Sequence, residues 1–218
     1  MAKLSSRKIG EIIHYFFAED KNPLIQKNMY LVIANMERAF SDWTADHSLR
    51  VGVLVKNLSN KLDLSSRDSH CYGLAACLHD IGKVSISRRI LDKPSSLTDD
   101  ERTAVQEHTV FGLNVFDGVE VENKQLFVDS ILSHHESFDG TGYPNGRIGS
   151  EIPYISQIVG ICDFYDAISA ARPYRNAMSF EQSQQLLNDN KSKFNEEIFN
   201  VFSSNLHSID EFSELRKQ

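Results

Sequence analysis

Apolar residues recur at helical spacing in segment after segment of this chain, with polar and turn-forming residues as punctuation. Ile9, Ile12, Ile13, Phe16 and Phe17 form the first stripe, entered from Ser5 or Ser6 and broken at Asn22-Pro23 before a second expected helix over residues 24–40. Next, Val51, Leu54, Val55, Leu58 and Leu62 share one face of a helix opened by Asp42. Ser65 and Asp68 form a capping-box-like start to a helix through Tyr72, Leu74, Ala75, Cys77 and Leu78, ending at His79-Asp80-Ile81-Gly82-Lys83. The stretch to Lys93-Pro94 reads as irregular, and Thr98 with Glu101 caps a helix expected to run unbroken to about Phe116. Leu126, Phe127, Ile131 and Leu132 predict a helix that stops at His134-His135, because Gly140, Gly142 and Pro144 forbid its continuation. A strongly apolar helix is expected over residues 154–171, with Asp163 and Asp166 inside it. Ser179 and Gln182 start another, Asn188-Asp189-Asn190 interrupts it, and Phe194, Ile198, Phe199, Phe202 and Leu206 mark a last one. The expected organisation is a helical extension over residues 1–40, one main domain over 41–207 and a polar tail over 208–218.

Composition narrows the function. With 218 residues, 41% of them hydrophobic, the chain can bury one substantial core. A net charge of −7 argues against DNA, RNA or anionic membranes as partners, since these need a basic face. Three cysteines, Cys71, Cys77 and Cys162, lie within apolar helical patterns and suit reduced core thiols. No apolar run approaches membrane-spanning length, so the expected location is the bacterial cytoplasm. The first two stripes carry no chemical motif and read as a cap on the core or as a surface for a homodimer or a signalling-protein partner.

The chemistry concentrates where packing gives no reason for it. Ser133-His134-His135-Glu136-Ser137-Phe138-Asp139-Gly140-Thr141-Gly142-Tyr143-Pro144 sets two imidazoles beside carboxylates at a helix end, followed by a glycine-rich loop. Neighbouring helical residues point about 100° apart, but imidazoles on either side of a helix end can still reach one two-metal centre. His79-Asp80 is flanked by apolar residues, and a carboxylate beside an imidazole supplies both a bridging oxygen and a terminal nitrogen to metals. His47 opens its helix, and His108 sits among Val105, Phe111 and Gly112 on a core-directed face where it needs a partner. Asp163, within Ile161-Cys162-Asp163-Phe164-Tyr165, would lose several kcal/mol on desolvation without cations nearby. His47, His79, Asp80, His108, His134, His135 and Asp163 together could hold two metals, and five imidazoles with two carboxylates suit iron, manganese, zinc or nickel. Arg172-Pro173-Tyr174-Arg175 adds two guanidinium groups suited to phosphate or base recognition.

These motifs resemble the HD-GYP family of the HD phosphohydrolase superfamily, named for pairs matched here by His79-Asp80 and Gly142-Tyr143-Pro144. The likeness covers residues 41–178 and takes in the His-Ser-x-Arg-Val entry at His47, Ile-Leu-x-Lys-Pro at Ile90 to Pro94, His108, and Asp163 with the Arg-Pro-Tyr-Arg segment. It implies an all-α HD-domain bundle that hydrolyses cyclic di-GMP to pGpG, and further to GMP, at a centre of two or three divalent ions, commonly iron or manganese. In that reading Asp80 bridges the ions. His47, His79 and Asp163 complete one site, and His108, His134 and His135 the other. Asp80 and Lys83 are the catalytic residues, while Lys83, Tyr143, Arg172 and Arg175 bind substrate. Some members carry a glutamate where Trp43 stands, associated with a third ion, so two ions per chain are expected here. Gln157 replaces a frequent arginine, and Ala171 a common aspartate. The rival readings are a phosphodiesterase for another cyclic dinucleotide, such as cyclic GMP-AMP, and a non-catalytic nucleotide receptor or scaffold.

Overall fold

A computed structural model of the chain describes residues 42–116, 123–170 and 177–210. The expected helices before residue 41, the side chain of Trp43, Arg172, Arg175 and the last eight residues lie outside the described residues, and so do the partner surfaces assigned to the first two stripes. What is described is helical: α1 (Asp42–Lys61), α2 (Ser66–Ala76), α3 (Arg88–Leu91), α4 (Asp99–Gln106), α5 (His108–Phe111), α6 (Lys124–Ser133), α7 (Tyr154–Ser169), α8 (Phe180–Asp189) and α9 (Glu196–Ile209). Among the described residues, extended pairing is confined to an isolated antiparallel bridge between Asp139 and Ile148. The all-α expectation therefore stands.

The helices start where local chemistry dictates. Ser65 accepts the N–H of Asp68, Thr98 and Glu101 form a complete capping box, and so do Ser179 and Gln182. Each such cap is worth about 1 kcal/mol. α1 packs against α2 and α7, and its expected stripe is the centre of the core: Val51, Leu54, Val55 and Leu58 are fully buried against Ile158, Cys162 and Tyr165 of α7 and Phe202 of α9. Cys77 and Cys162 are buried, and burial pushes the Cys77 thiol up to about 12.

Three differences from the expected elements have local causes. The helix opened by Thr98 does not reach Phe116 as one piece, but breaks at Glu107. The imidazole Nδ1 of His108 donates to the Val105 carbonyl at 2.6 Å and the Thr109 hydroxyl to that of Gln106 at 3.1 Å, so side chains take carbonyls that a continuing helix would use. A 3-10 segment, Gly112–Phe116, follows α5. The stretch expected as irregular contains a 3-10 turn, Ile81–Ser85, and α3, whose entry is capped by Ser87. Finally, the polar tail does not start at residue 208: α9 continues through Ile209, which is fully buried and whose carbonyl accepts from Asn57 at 2.9 Å.

Candidate metal centre

Five separate elements bring the expected ligands together. His47 comes from the first turns of α1, His79 and Asp80 from the turn after α2, His108 from the start of α5, His134 and His135 from the end of α6, and Asp163 from the middle of α7. Glycine makes one of these approaches feasible: a Cβ on Gly82 would collide with the backbone carbonyl of His108, so only glycine lets the Asp80 turn lie against α5.

The imidazoles are oriented by what their outer nitrogens hold. Nδ1 of His79 donates to the Ala76 carbonyl at 2.7 Å, Nδ1 of His108 to Val105, and Nδ1 of His134 to Ser130 at 2.9 Å. With the proton fixed on Nδ1, the lone pair of each Nε2 faces inwards. Nε2 of His108 and Nε2 of His134 then confront each other at 3.4 Å, an arrangement of two acceptors that calls for a cation between them. Asp80 is the hub: its Oδ1 lies 3.3 Å from His108 Nε2 and 3.9 Å from His134 Nε2, and its Oδ2 lies 3.4 Å from His79 Nε2 and 3.8 Å from His47 Nε2. Asp80 Oδ1 and His79 Nε2 are completely shielded, yet neither makes a hydrogen bond. Buried polar atoms left so cost roughly 1–3 kcal/mol each, which a coordinated ion removes.

The electrostatics divide the cluster. Burial works against ionising Asp80, but Lys83, whose ammonium sits 2.5 Å from Oδ2, outweighs it and holds the carboxyl well below the usual range. Burial likewise opposes the charge of Asp163, and His47 at 3.0 Å overcomes it and lowers the pKa. His47 has a carboxylate at each nitrogen, Asp163 at Nε2 and Asp166 at Nδ1, so despite burial, which acts in the opposite direction, its pKa is raised. A positive charge is demanded there, as a proton or as a metal. Burial lowers His134 well below the ordinary imidazole value, helped by its histidine neighbours, and takes His135 down to about 3. Both are neutral, the form that ligates metal.

Two groups of ligand atoms lie within 4.8 Å of one another and share Asp80: one with His47 and His79, the other with His108, His134 and His135. Asp163 sits across both, 3.8 Å from His79 and 3.8 Å from Nδ1 of His135. The donor set fits divalent ions on chemistry as well as geometry, with shielded nitrogens and carboxylate oxygens and no thiolate among them. Lys83 stands at the rim, 17% exposed. Tyr143 is half-buried, its ring stacked 4.7 Å from that of His135, and burial raises its phenol pKa so that it keeps its proton. Gly142 lets the loop come this close, since a Cβ there would strike the backbone of His135 and Ser137. The bond between Tyr143 and Pro144 is cis.

Three supporting residues carry no role in the sequence reading. Asp166, fully buried, accepts from His47 Nδ1 at 2.7 Å and from Arg50 at 2.9 and 3.0 Å, so it orients the imidazole and fixes the arginine. Glu136 holds the glycine loop by accepting the backbone N–H groups of Asn145 and Arg147 at 2.8 and 2.9 Å. The usable signals were the Asp163/Asp166 spacing, which places two carboxylates on one helix face, and a glutamate directly after the histidine pair.

A family model described as HD domain matches residues 22–198. The chain is 36% identical over 179 residues to 3'3'-cGAMP-specific phosphodiesterase 3 of Vibrio cholerae, covering 81% of this chain and 38% of that protein. It is also 36% identical over 169 residues to a cyclic di-GMP phosphodiesterase of Thermotoga maritima, covering 77% and 45%. The chain thus spans less than half the length of these relatives. Bd1817, an HDG"Y"P protein from Bdellovibrio bacteriovorus, shares the fold with a TM-score of 0.60 at 16% identity, over 92% of this chain and 63% of that one. Among the described residues, no helix is long and apolar enough to cross a membrane.

Proposed function

The chain belongs to the HD domain family, in its HD-GYP form, and from that premise we propose that it is a metal-dependent phosphodiesterase that opens cyclic di-GMP to pGpG, with GMP as the product of a second cut. The observation that carries this reading is the convergence of shielded, unsatisfied lone pairs around Asp80. Two divalent ions, iron or manganese first and zinc or nickel next, would be held by His47, His79 and Asp163 on one side and His108, His134 and His135 on the other, with Asp80 available to both. Bound there, such ions supply Lewis-acid chemistry, lowering the pKa of water and neutralising phosphoryl charge.

The side chains do the rest. Water adds across one P–O bond, the 3′-oxygen leaves and takes up a proton, and the opened dinucleotide keeps its second phosphodiester. Lys83 turns its ammonium to the phosphoryl oxygens as negative charge builds, a contribution of roughly 3–4 kcal/mol for a preorganised donor. Tyr143 stacks on His135 and shapes the pocket through the loop that Glu136 holds. Arg172 and Arg175 bind the remaining phosphate charge, which gives a net-acidic chain its anion site. In this reading the HD-GYP domain begins at residue 41 and includes α9 through Ile209.

Cyclic GMP-AMP is the second substrate to weigh, because the Vibrio cholerae relative is named for it. Manganese- or iron-loaded protein incubated separately with the two dinucleotides, with products resolved by chromatography, tests the proposal. Conversion of cyclic di-GMP to pGpG is expected. A fully loaded protein that leaves both intact would overturn the activity and favour a receptor.

A further inference from the structure

A cavity of about 240 Å³ opens beside the proposed ligands and is lined in part by His134, His135 and Asp163. It is smaller than the roughly 300–1,000 Å³ of sites that enclose a whole drug-sized ligand, so it suits one nucleobase rather than a dinucleotide. Its walls are aromatic: Phe138 from the loop, Phe164 of α7 and Phe194 ahead of α9, with the last two rings edge to face at 5.4 Å. Such faces stack on any base, at about 1–3 kcal/mol each. Polar side chains must therefore choose the base.

Gln157 supplies the first polar group. Its Nε2 donates to the Ile152 carbonyl at 2.8 Å, which fixes the amide, since the reverse orientation would press oxygen against oxygen. Oε1 is shielded from solvent, makes no hydrogen bond, and belongs to a side chain lining the cavity. It asks for a donor. Asn195 and Lys193 line the same space. The Oδ1 of Asn195 is committed to the N–H groups of Glu197 and Ile198, which leaves its Nδ2 to donate, and Lys193 has donors only. Guanine matches this set, offering N–H groups at N1 and N2 and acceptors at O6 and N7, whereas adenine presents a donor where guanine has O6.

We propose that this cavity is a guanine subsite, in which Gln157 accepts from the base, Lys193 and Asn195 donate to it, and Phe138, Phe164 and Phe194 stack it beside the scissile phosphate. The subsite rests on the proposed phosphodiesterase function and gives that function its base preference.

The test compares metal-loaded wild type with Gln157→Leu, Gln157→Glu and Lys193→Met, reading kcat/KM for cyclic di-GMP and cyclic di-AMP, with metal content and melting temperature as controls of integrity. Losing one shielded acceptor should lower kcat/KM for cyclic di-GMP about tenfold in Gln157→Leu, with little change for cyclic di-AMP. Gln157→Glu sets a carboxylate oxygen against the Ile152 carbonyl to which Gln157 donates, which displaces the acceptor, so this variant should lose the discrimination as Gln157→Leu does. A ratio between the two substrates equal to wild type in both Gln157→Leu and Lys193→Met overturns the subsite while leaving the proposed activity intact. If the loaded wild type turns over no cyclic dinucleotide, the activity fails on its own, and calorimetry with GMP then decides the cavity: binding that weakens in Gln157→Leu supports it, and absent or unchanged binding overturns it.

Discussion

The two sides of the Asp80 cluster are built on different electrostatic plans. On one side His47 lies between the carboxylates of Asp163 and Asp166, and Arg50 balances Asp166 from behind, so charge is met by charge. On the other, His108 and His134 are oriented by the neutral carbonyls of Val105, Ser130 and Ile131, and burial keeps the His134 imidazole uncharged. The two sides therefore depend on remote partners to different extents. The neutral side is held by carbonyls three or four residues back along its own chain; on the charged side His79 is held likewise by Ala76, whereas His47 depends on side chains brought together across more than a hundred residues.

Replacing the shared residue should erase the distinction. Asp80→Ala is expected to remove both ions and all turnover while leaving helical content near that of wild type, as checked by elemental analysis and circular dichroism, because Asp80 lies in a turn and not in an apolar stripe. Unchanged metal content would refute its place as the hub. Lys83→Ala should keep both ions and lower kcat by about 10²–10³-fold, since its ammonium faces the centre without being a ligand. Loss of metal in that variant would make Lys83 structural.

The asymmetry itself is sharpened by Asp166→Asn. Removing the charge behind His47 should weaken the ion on that side by roughly 10–100-fold, as such supporting carboxylates do, while the His108 side keeps its own. A titration that shows both ions weakened equally would mean that the two sides are one unit. The smallest effect belongs to His207→Ala. This imidazole stacks on Phe180 at 4.2 Å, remote from the cluster, and its loss should leave metal content unchanged and stability within about 0.5 kcal/mol.

What could be read from sequence follows the range of the interactions. The capping boxes at Thr98 and Ser179 and the α1 stripe are local and periodic, and they appear where expected. The seven proposed ligands were legible because histidines and carboxylates beside apolar residues have no packing reason to be there, and the structure gathers all seven. The break at Glu107 was not legible, because it arises when His108 and Thr109 take backbone carbonyls, a choice that periodicity does not record. Nor was the pairing of Arg50 with Asp166, since nothing local couples residues 116 positions apart. The cavity walls come from the loop, α7 and the entry to α9, and only the folded chain sets Gln157 beside Asn195.

The most direct measurement is an anomalous-scattering map from crystals of manganese- or iron-loaded protein. Two peaks per chain are expected, one bounded by His47, His79 and Asp163 and one by His108, His134 and His135, with Asp80 touching both. A single peak, a third beside His47 near Trp43, or peaks away from Asp80 would contradict it.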